Sequence, residues 1–167
     1  MSALPNETRH LLPMTAAQLD AVLAVEATAY AFPWSRGNFI DSLAAGYPSR
    51  VLYADRGEVL GYFVAMPGVD EMHLLNITVA PPVEGLGHAR FMLGELVHLC
   101  REHGARQLWL EVRESNARAR SIYQRFGFVP VGVRKGYYPA LRGRREDAIV
   151  MSLALAAPGA QAGDALV

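Results

Sequence analysis

Met72-His-Leu-Leu-Asn-Ile-Thr-Val79, Ala80-Pro-Pro-Val-Glu-Gly-Leu-Gly-His-Ala-Arg90 and Phe91-Met-Leu-Gly-Glu-Leu-Val-His-Leu-Cys100 run on from one another, and their reading decides the fold. The first segment predicts a strand apolar enough to be buried on both faces, and Pro81-Pro82 ends it. The third carries Leu93, Leu96, Val97 and Cys100 at helical spacing, with Gly104 as its C-cap. Between them, Glu84-Gly-Leu-Gly-His-Ala89 is a glycine-bearing loop that opens a helix. Such a place favours an anion, phosphate above all, because the first N–H groups of a helix lack intrahelical acceptors and its dipole is positive there. Two phosphate motifs are excluded. The dinucleotide fingerprint needs a third glycine where Arg90 stands, and the P-loop needs a Gly-Lys-Ser/Thr that is absent. By spacing alone, the glycines would equally serve a plain strand-to-helix turn.

Downstream, Gln107 to Val112 predicts a strand with Leu108, Leu110 and Val112 on one face and Trp109 and Glu111 on the other. Ser115-Asn116 then opens a helix with Ala119, Ile122, Tyr123 and Phe126 on its apolar stripe, closed by Gly127. Phe128 to Tyr137 and Asp147 to Leu155 read as two last strands joined by a long Arg/Gly loop. Upstream, Thr8 to Pro13 reads as a first strand, and Thr15 caps a helix reaching about Tyr30. Pro33 ends that helix, and Ser35 caps another through Asn38, Phe39, Ile40 and Leu43. Arg50 to Ala54 and Glu58 to Ala65 form strands around Asp55-Arg56-Gly57. The central strand–helix–strand–helix–strand run implies at least one parallel pair, with hairpins elsewhere, in an α/β (α+β) domain.

With 167 residues, the chain has the length of one domain, expected over 1–155 and followed by a small Gly/Ala-rich tail, 156–167, expected to be disordered. Hydrophobic residues at 51% and charged residues at 19% exclude a disordered chain or a coiled coil. Equal numbers of basic and acidic residues, 16 each, argue against a nucleic-acid partner. Lys135 is the only lysine, most simply a bias toward arginine. Cys100 stands alone, which rules out an internal disulfide and a multi-cysteine zinc site, and it is expected to be buried and inert. His73, His88 and His103 lack metal-ligand spacing, so no metal is expected. No apolar run reaches roughly 18 residues and no signal peptide is legible, so a cytoplasmic protein without a membrane partner is expected.

Several side chains could carry chemistry. Glu111 ends an apolar strand; a carboxylate there is costly to ionise, which suits a general base near neutral pH. Its bland alternative is an ion pair with Arg113 or Arg118. Tyr123 is either a core tyrosine or a proton donor to a leaving group. Asn116 is an N-cap whose amide could also reach a ligand. Tyr30, Phe32, Trp34, Tyr137 and Tyr138, held in loops by Pro33 and Pro139, either pack the loops or line a groove for an extended peptide.

Taken together, the order of these pieces resembles the GCN5-related N-acetyltransferase (GNAT) superfamily, from about Thr8 to Leu155. The resemblance implies a mixed central sheet of about seven strands with four helices, its parallel pair splayed where acetyl-CoA binds. Ala31-Phe-Pro-Trp-Ser35, Leu108-Trp-Leu-Glu-Val-Arg-Glu-Ser-Asn116, Arg134-Lys-Gly-Tyr-Tyr-Pro139 and Arg145-Glu-Asp-Ala-Ile-Val-Met151 are similar to the bacterial branch that acetylates the N-terminal amine of a small-subunit ribosomal protein. By that resemblance Glu111 is the general base and Tyr123 the general acid. Ile77, Thr78 and Val79 are the strand backbone that pairs with the pantetheine arm. Gly85, Leu86, Gly87, His88, Ala89 and Arg90 cradle the pyrophosphate, and Asn116 contacts the cofactor. Phe32, Trp34, Tyr137 and Tyr138 line the peptide groove of a monomer. The loop position usually held by Gln or Arg is Glu84, whose side chain is then expected to face solvent. Alternatives are the same fold acting on a small amine or a lysine, and a non-catalytic acyl-CoA-binding module.

Overall fold

The computed structural model describes residues 8–156. The opening Met1–Glu7 and all but Ala156 of the expected tail lie outside the described residues. The order is β1 (His10–Pro13), α1 (Leu19–Ala29), α2 (Arg36–Ala44), β2 (Ser49–Tyr53), β3 (Val59–Pro67), β4 (Glu71–Val79), α3 (His88–Glu102), β5 (Gln107–Arg113), α4 (Ala117–Phe126), β6 (Val129–Pro139) and β7 (Arg145–Ala154). The seven strands follow the order β1-β2-β3-β4-β5-β7-β6. β4 and β5 are parallel; β1–β2, β2–β3, β5–β7 and β6–β7 are antiparallel. This is the mixed sheet with four helices that the sequence led us to expect. Its contacts divide it into two compact units, 8–66 with 75–92 and 67–74 with 93–156.

In the first unit, Met14, Leu19, Val22, Phe39, Val51, Tyr62 and Val64 form the core. Burying such side chains stabilises by about 1.5–3 kcal/mol each. Phe39 is its hub, 5.1 Å from the Trp34 ring and 5.9 Å from that of Tyr62. The helix expected from Thr15 begins later. Residues Ala16–Gln18 form a 3-10 turn, in which Gln18 Oε1 accepts from the Thr15 N–H at 2.7 Å, and α1 proper starts at Leu19. Ser35 caps α2 as expected, its hydroxyl accepting from the Asn38 N–H at 3.2 Å. Gly61 has no room for a side chain: a Cβ would come within 2.5 Å of the Thr78 carbonyl oxygen.

β4 corrects one expectation. Met72, Leu74, Asn76 and Thr78 are buried, while His73, Leu75, Ile77 and Val79 are only half-buried. The strand alternates between a face that is fully buried and one that is covered only in part, on which Leu75 still packs against the core of the first unit.

In the second unit, β5 has the expected alternation, with Leu108, Leu110 and Val112 buried. It pairs in parallel with the start of β4 from Glu71↔Gln107 to Leu74↔Leu110, where that pairing ends. On its other side it runs antiparallel to β7 over its whole length, with Glu111 opposite Val150. The β6–β7 loop is shorter than expected. Pairing continues to Pro139↔Arg145, and a 3-10 turn at Leu141–Gly143 closes the hairpin. Tyr137 and Tyr138 therefore lie on a strand and not in a loop. Cys100 is fully buried, as expected, and burial pushes its thiol up to about 12.

Candidate active site

Of the residues expected to bind the acetyl donor, the first unit holds all but Asn116. Gly85 (φ 82°) and Gly87 (φ 85°) both lie in the left-handed region, where a side chain would be strained. They turn the chain from Pro81–Val83, a 3-10 turn, into α3, whose first backbone bond runs from the Phe91 N–H to the Gly87 carbonyl at 3.0 Å. Gly85, Leu86, Gly87 and Arg90 are exposed, and His88 and Ala89 are half-buried. Glu84 is exposed, as expected. A cation that the sequence did not reveal stands beside this loop. The Arg9 guanidinium donates to the Gly87 carbonyl at 3.4 Å, reaches His88 Nδ1 at 3.4 Å and lies 4.2 Å from the Phe91 ring centre. A helix start, two left-handed glycines and a guanidinium fit a diphosphate.

Beneath the loop that follows α1 lies a buried polar network, also missed by sequence reading. Glu26, 2% exposed, accepts from the Tyr62 hydroxyl at 2.7 Å and Asn76 Nδ2 at 3.1 Å through Oε1, and from the Trp34 N–H at 2.9 Å through Oε2. Thr78 Oγ1 donates to Asn76 Oδ1 at 2.7 Å, and the Tyr30 hydroxyl lies 2.7 Å from Thr78 Oγ1 and 3.2 Å from the Ile77 carbonyl. Burial, first of all, pushes the Tyr30 hydroxyl up to about 12. Of the residues expected to face a peptide, Phe32 is exposed, whereas Trp34 is half-buried and tied down through its backbone.

The second unit holds the residues expected to move protons. Glu111 has only 8% of its side chain exposed, yet its surroundings are not simply apolar. His73 Nε2 bonds to Glu111 Oε2, and Arg134 Nε stands 3.2 Å from Oε1. Neither of the ion pairs considered from sequence is the one formed. Arg113 turns to Glu146 at 3.1 Å and the Pro139 carbonyl at 2.8 Å, and lies 4.5 Å from the centre of the Tyr138 ring. Glu146 is held below the ordinary carboxylate range, first by hydrogen bonds from Ser115 and then by Arg113. His73 and Arg134 could not be assigned from spacing, since they lie on β4 and β6. The usable signal was their alternation with the apolar residues of their strands.

Tyr123 is half-buried on α4, its ring edge-on to Phe128 with centres 5.8 Å apart. Asn116 caps α4, its Oδ1 accepting from the Ala119 N–H at 3.1 Å, which leaves Nδ2 outside the cap bond. Tyr137 and Tyr138 stack edge-on at 4.9 Å. Arg134 reaches toward the Tyr137 ring, 5.6 Å from its centre, so Glu111 and this aromatic pair share a guanidinium. Trp109 Nε1, on β5 with Glu111, is buried without a hydrogen-bond partner among the described residues. Such a donor costs about 1–3 kcal/mol.

Residues 19–128 match the model of the acetyltransferase (GNAT) family. The chain belongs to the GNAT acetyltransferase family. It is 36% identical over 137 residues to the [ribosomal protein bS18]-alanine N-acetyltransferase of Haemophilus influenzae, covering 82% of this chain and 92% of that one. To the Escherichia coli K12 protein of the same name it is 37% identical over 135 residues, 81% of this chain and 90% of that one. The crystal structure of the ribosomal-protein-S18-alanine N-acetyltransferase from Escherichia coli superposes with a TM-score of 0.81 at 33% identity, over 92% of this chain and 99% of that one.

Proposed function

We propose that this GNAT acetyltransferase transfers the acetyl group of acetyl-CoA to the α-amino group of an N-terminal alanine on a small-subunit ribosomal protein. The observation that carries the reading is the nearly full-length likeness to enzymes named for that reaction. The reading takes residues 1–155 as one catalytic domain working as a cytoplasmic monomer without a metal. Among the described residues, no helix is long and apolar enough to cross a membrane.

The donor supplies an activated thioester carbonyl. The glycine loop, the start of α3 and Arg9 hold its diphosphate, the backbone of Ile77, Thr78 and Val79 pairs with its pantetheine arm, and Asn116 Nδ2 contacts it. Phe32, Trp34, Tyr137 and Tyr138 hold the acceptor peptide. The acceptor amine is ordinarily protonated below about pH 8. Glu111 takes that proton, directly or through a water, and frees the lone pair for attack. Tyr123 gives a proton to the departing sulfur. Tyr123→Phe is expected to slow turnover about tenfold, least where the thiol leaves as thiolate at high pH. A rate loss independent of pH would remove the acid role from Tyr123.

The test is thiol release from acetyl-CoA with a short peptide that begins like the matching ribosomal protein. A peptide blocked at its N-terminus and carrying an internal lysine is the control. Release with the free peptide alone is expected. Release with the blocked peptide, or only with small free amines, would overturn the acceptor.

A further inference from the structure

His73 stands outside every role assigned so far. It lies on β4 opposite Trp109 of β5, and its Nε2 meets Glu111 Oε2. An ionised carboxylate only accepts, so Nε2 carries the hydrogen and donates it. Arg134 Nε approaches Oε1 from β6 at 3.2 Å. The hydrogen bond from His73 orients Oε2 while the ion pair draws Oε1 toward Arg134, and together they restrain a carboxyl group that a long glutamate side chain does not hold by itself. The charged groups around the imidazole are Glu111 from β5, Arg134 behind it from β6, and Glu71 two residues back on the same strand face. His73 keeps a quarter of its side chain exposed, so it can exchange a proton with solvent.

We infer that His73 is the positioning residue of the base, holding the Glu111 carboxylate in its working orientation and weakening it when the imidazole becomes charged. The inference rests on the reading of Glu111 as the proton acceptor. With a neutral imidazole, Glu111 faces one full positive charge, on Arg134. With a protonated one it faces two, and a carboxylate bracketed by two cations pulls less on the ammonium proton. Turnover therefore falls when the imidazole carries a proton, and histidine is the side chain whose unperturbed charge change lies nearest neutral pH.

The experiment compares Glu111→Gln, His73→Leu and His73→Gln with the full-length enzyme. It measures kcat against pH at saturating peptide, and acetyl-CoA binding by calorimetry. His73→Leu removes the donor and is expected to lower kcat about tenfold to a hundredfold. His73→Gln restores an amide N–H but does not titrate. It is expected to recover most of the turnover at pH 8 and to keep it to lower pH than the wild type. Acetyl-CoA affinity should stay unchanged in all three, which shows that the proteins are folded. Wild-type turnover in His73→Leu would overturn the inference and leave the base reading standing. So would a glutamine variant as slow as the leucine one with its acid limb unmoved. Full turnover in Glu111→Gln would instead overturn the base reading itself.

Discussion

Glu26 in the first unit and Glu111 in the second are both carboxylates withdrawn from water, but they keep different company. Glu26 accepts from a tyrosine hydroxyl, an asparagine amide and a backbone N–H. None of these donors changes charge near neutral pH, and Tyr62 is pushed far above its ordinary value, first by burial and then by the charge of Glu26. Glu111 is met by an imidazole and a guanidinium. A carboxylate ringed by fixed neutral donors holds a shape, because each bond stays in place and every donor would be orphaned without it. One ringed by titratable and cationic groups responds to pH and to an incoming charge. Burial alone therefore does not separate scaffold from chemistry; the partners do.

The largest expected effect breaks this contrast at Glu111, the proposed base. Glu111→Gln should lower kcat about 10²- to 10⁴-fold with acetyl-CoA affinity retained, and with little change in unfolding midpoint. The next breaks it on the other side. Glu26→Ala leaves two buried donors and one part-buried donor without their acceptor and should cost about 3 kcal/mol of stability, read by urea unfolding. If Glu26→Ala instead left stability intact and abolished turnover, the two carboxylates would have exchanged roles.

These two sites differ equally in how far they could be read from sequence. Glu111 was legible because a single acid in Leu108-Trp-Leu-Glu-Val112 breaks an apolar strand at a place set by period-two alternation. The Asn116 cap and the turn at Gly85 and Gly87 were legible for the same reason: their requirements are local. Glu26 was not. It sits inside an amphipathic helix, and its partners Tyr62 and Asn76 lie 36 and 50 residues away on strands. Likewise, the partners of Glu111 come from β4 and β6 and depend on register, not spacing. The mistaken burial of β4 on both faces had a related cause. An apolar run shows that a strand avoids water but not how completely each of its faces is covered.

Arg9 sharpens the comparison at smaller scale, since it brings to the glycine loop the cation that Glu84 does not. Arg9→Gln should raise the KM for acetyl-CoA a few-fold at low ionic strength and leave kcat unchanged. Raising salt should then weaken the wild type more than the variant, because exposed charge pairs are screened within about 10 Å at 0.1 M. An Arg9→Gln enzyme with the salt dependence of the wild type would show that the backbone alone holds the diphosphate.

The smallest effect comes from the outer end of the Glu26 network. Tyr30 is 38% exposed as a residue, but its hydroxyl turns inward to Thr78 and Ile77. Its ionisation is raised from 10.0 to about 12, with burial as the largest cause. A group raised in the folded state contributes stability that is fully present below its unfolded value and is lost as pH climbs through the folded one. Stability should therefore decline between pH 10 and about 12, where the unfolded chain gives up this proton and the folded one keeps it. Tyr62 adds to the decline in the same direction, so the measurement is the difference between wild type and Tyr30→Phe in urea unfolding across that window. Near neutral pH the variant should be weaker by about 1 kcal/mol or less, the net worth of a hydroxyl hydrogen bond at a partly exposed site. As pH rises the two curves should converge, because phenylalanine has no proton to lose. Parallel curves would mean that the Tyr30 hydroxyl is no part of the non-titrating shell around Glu26.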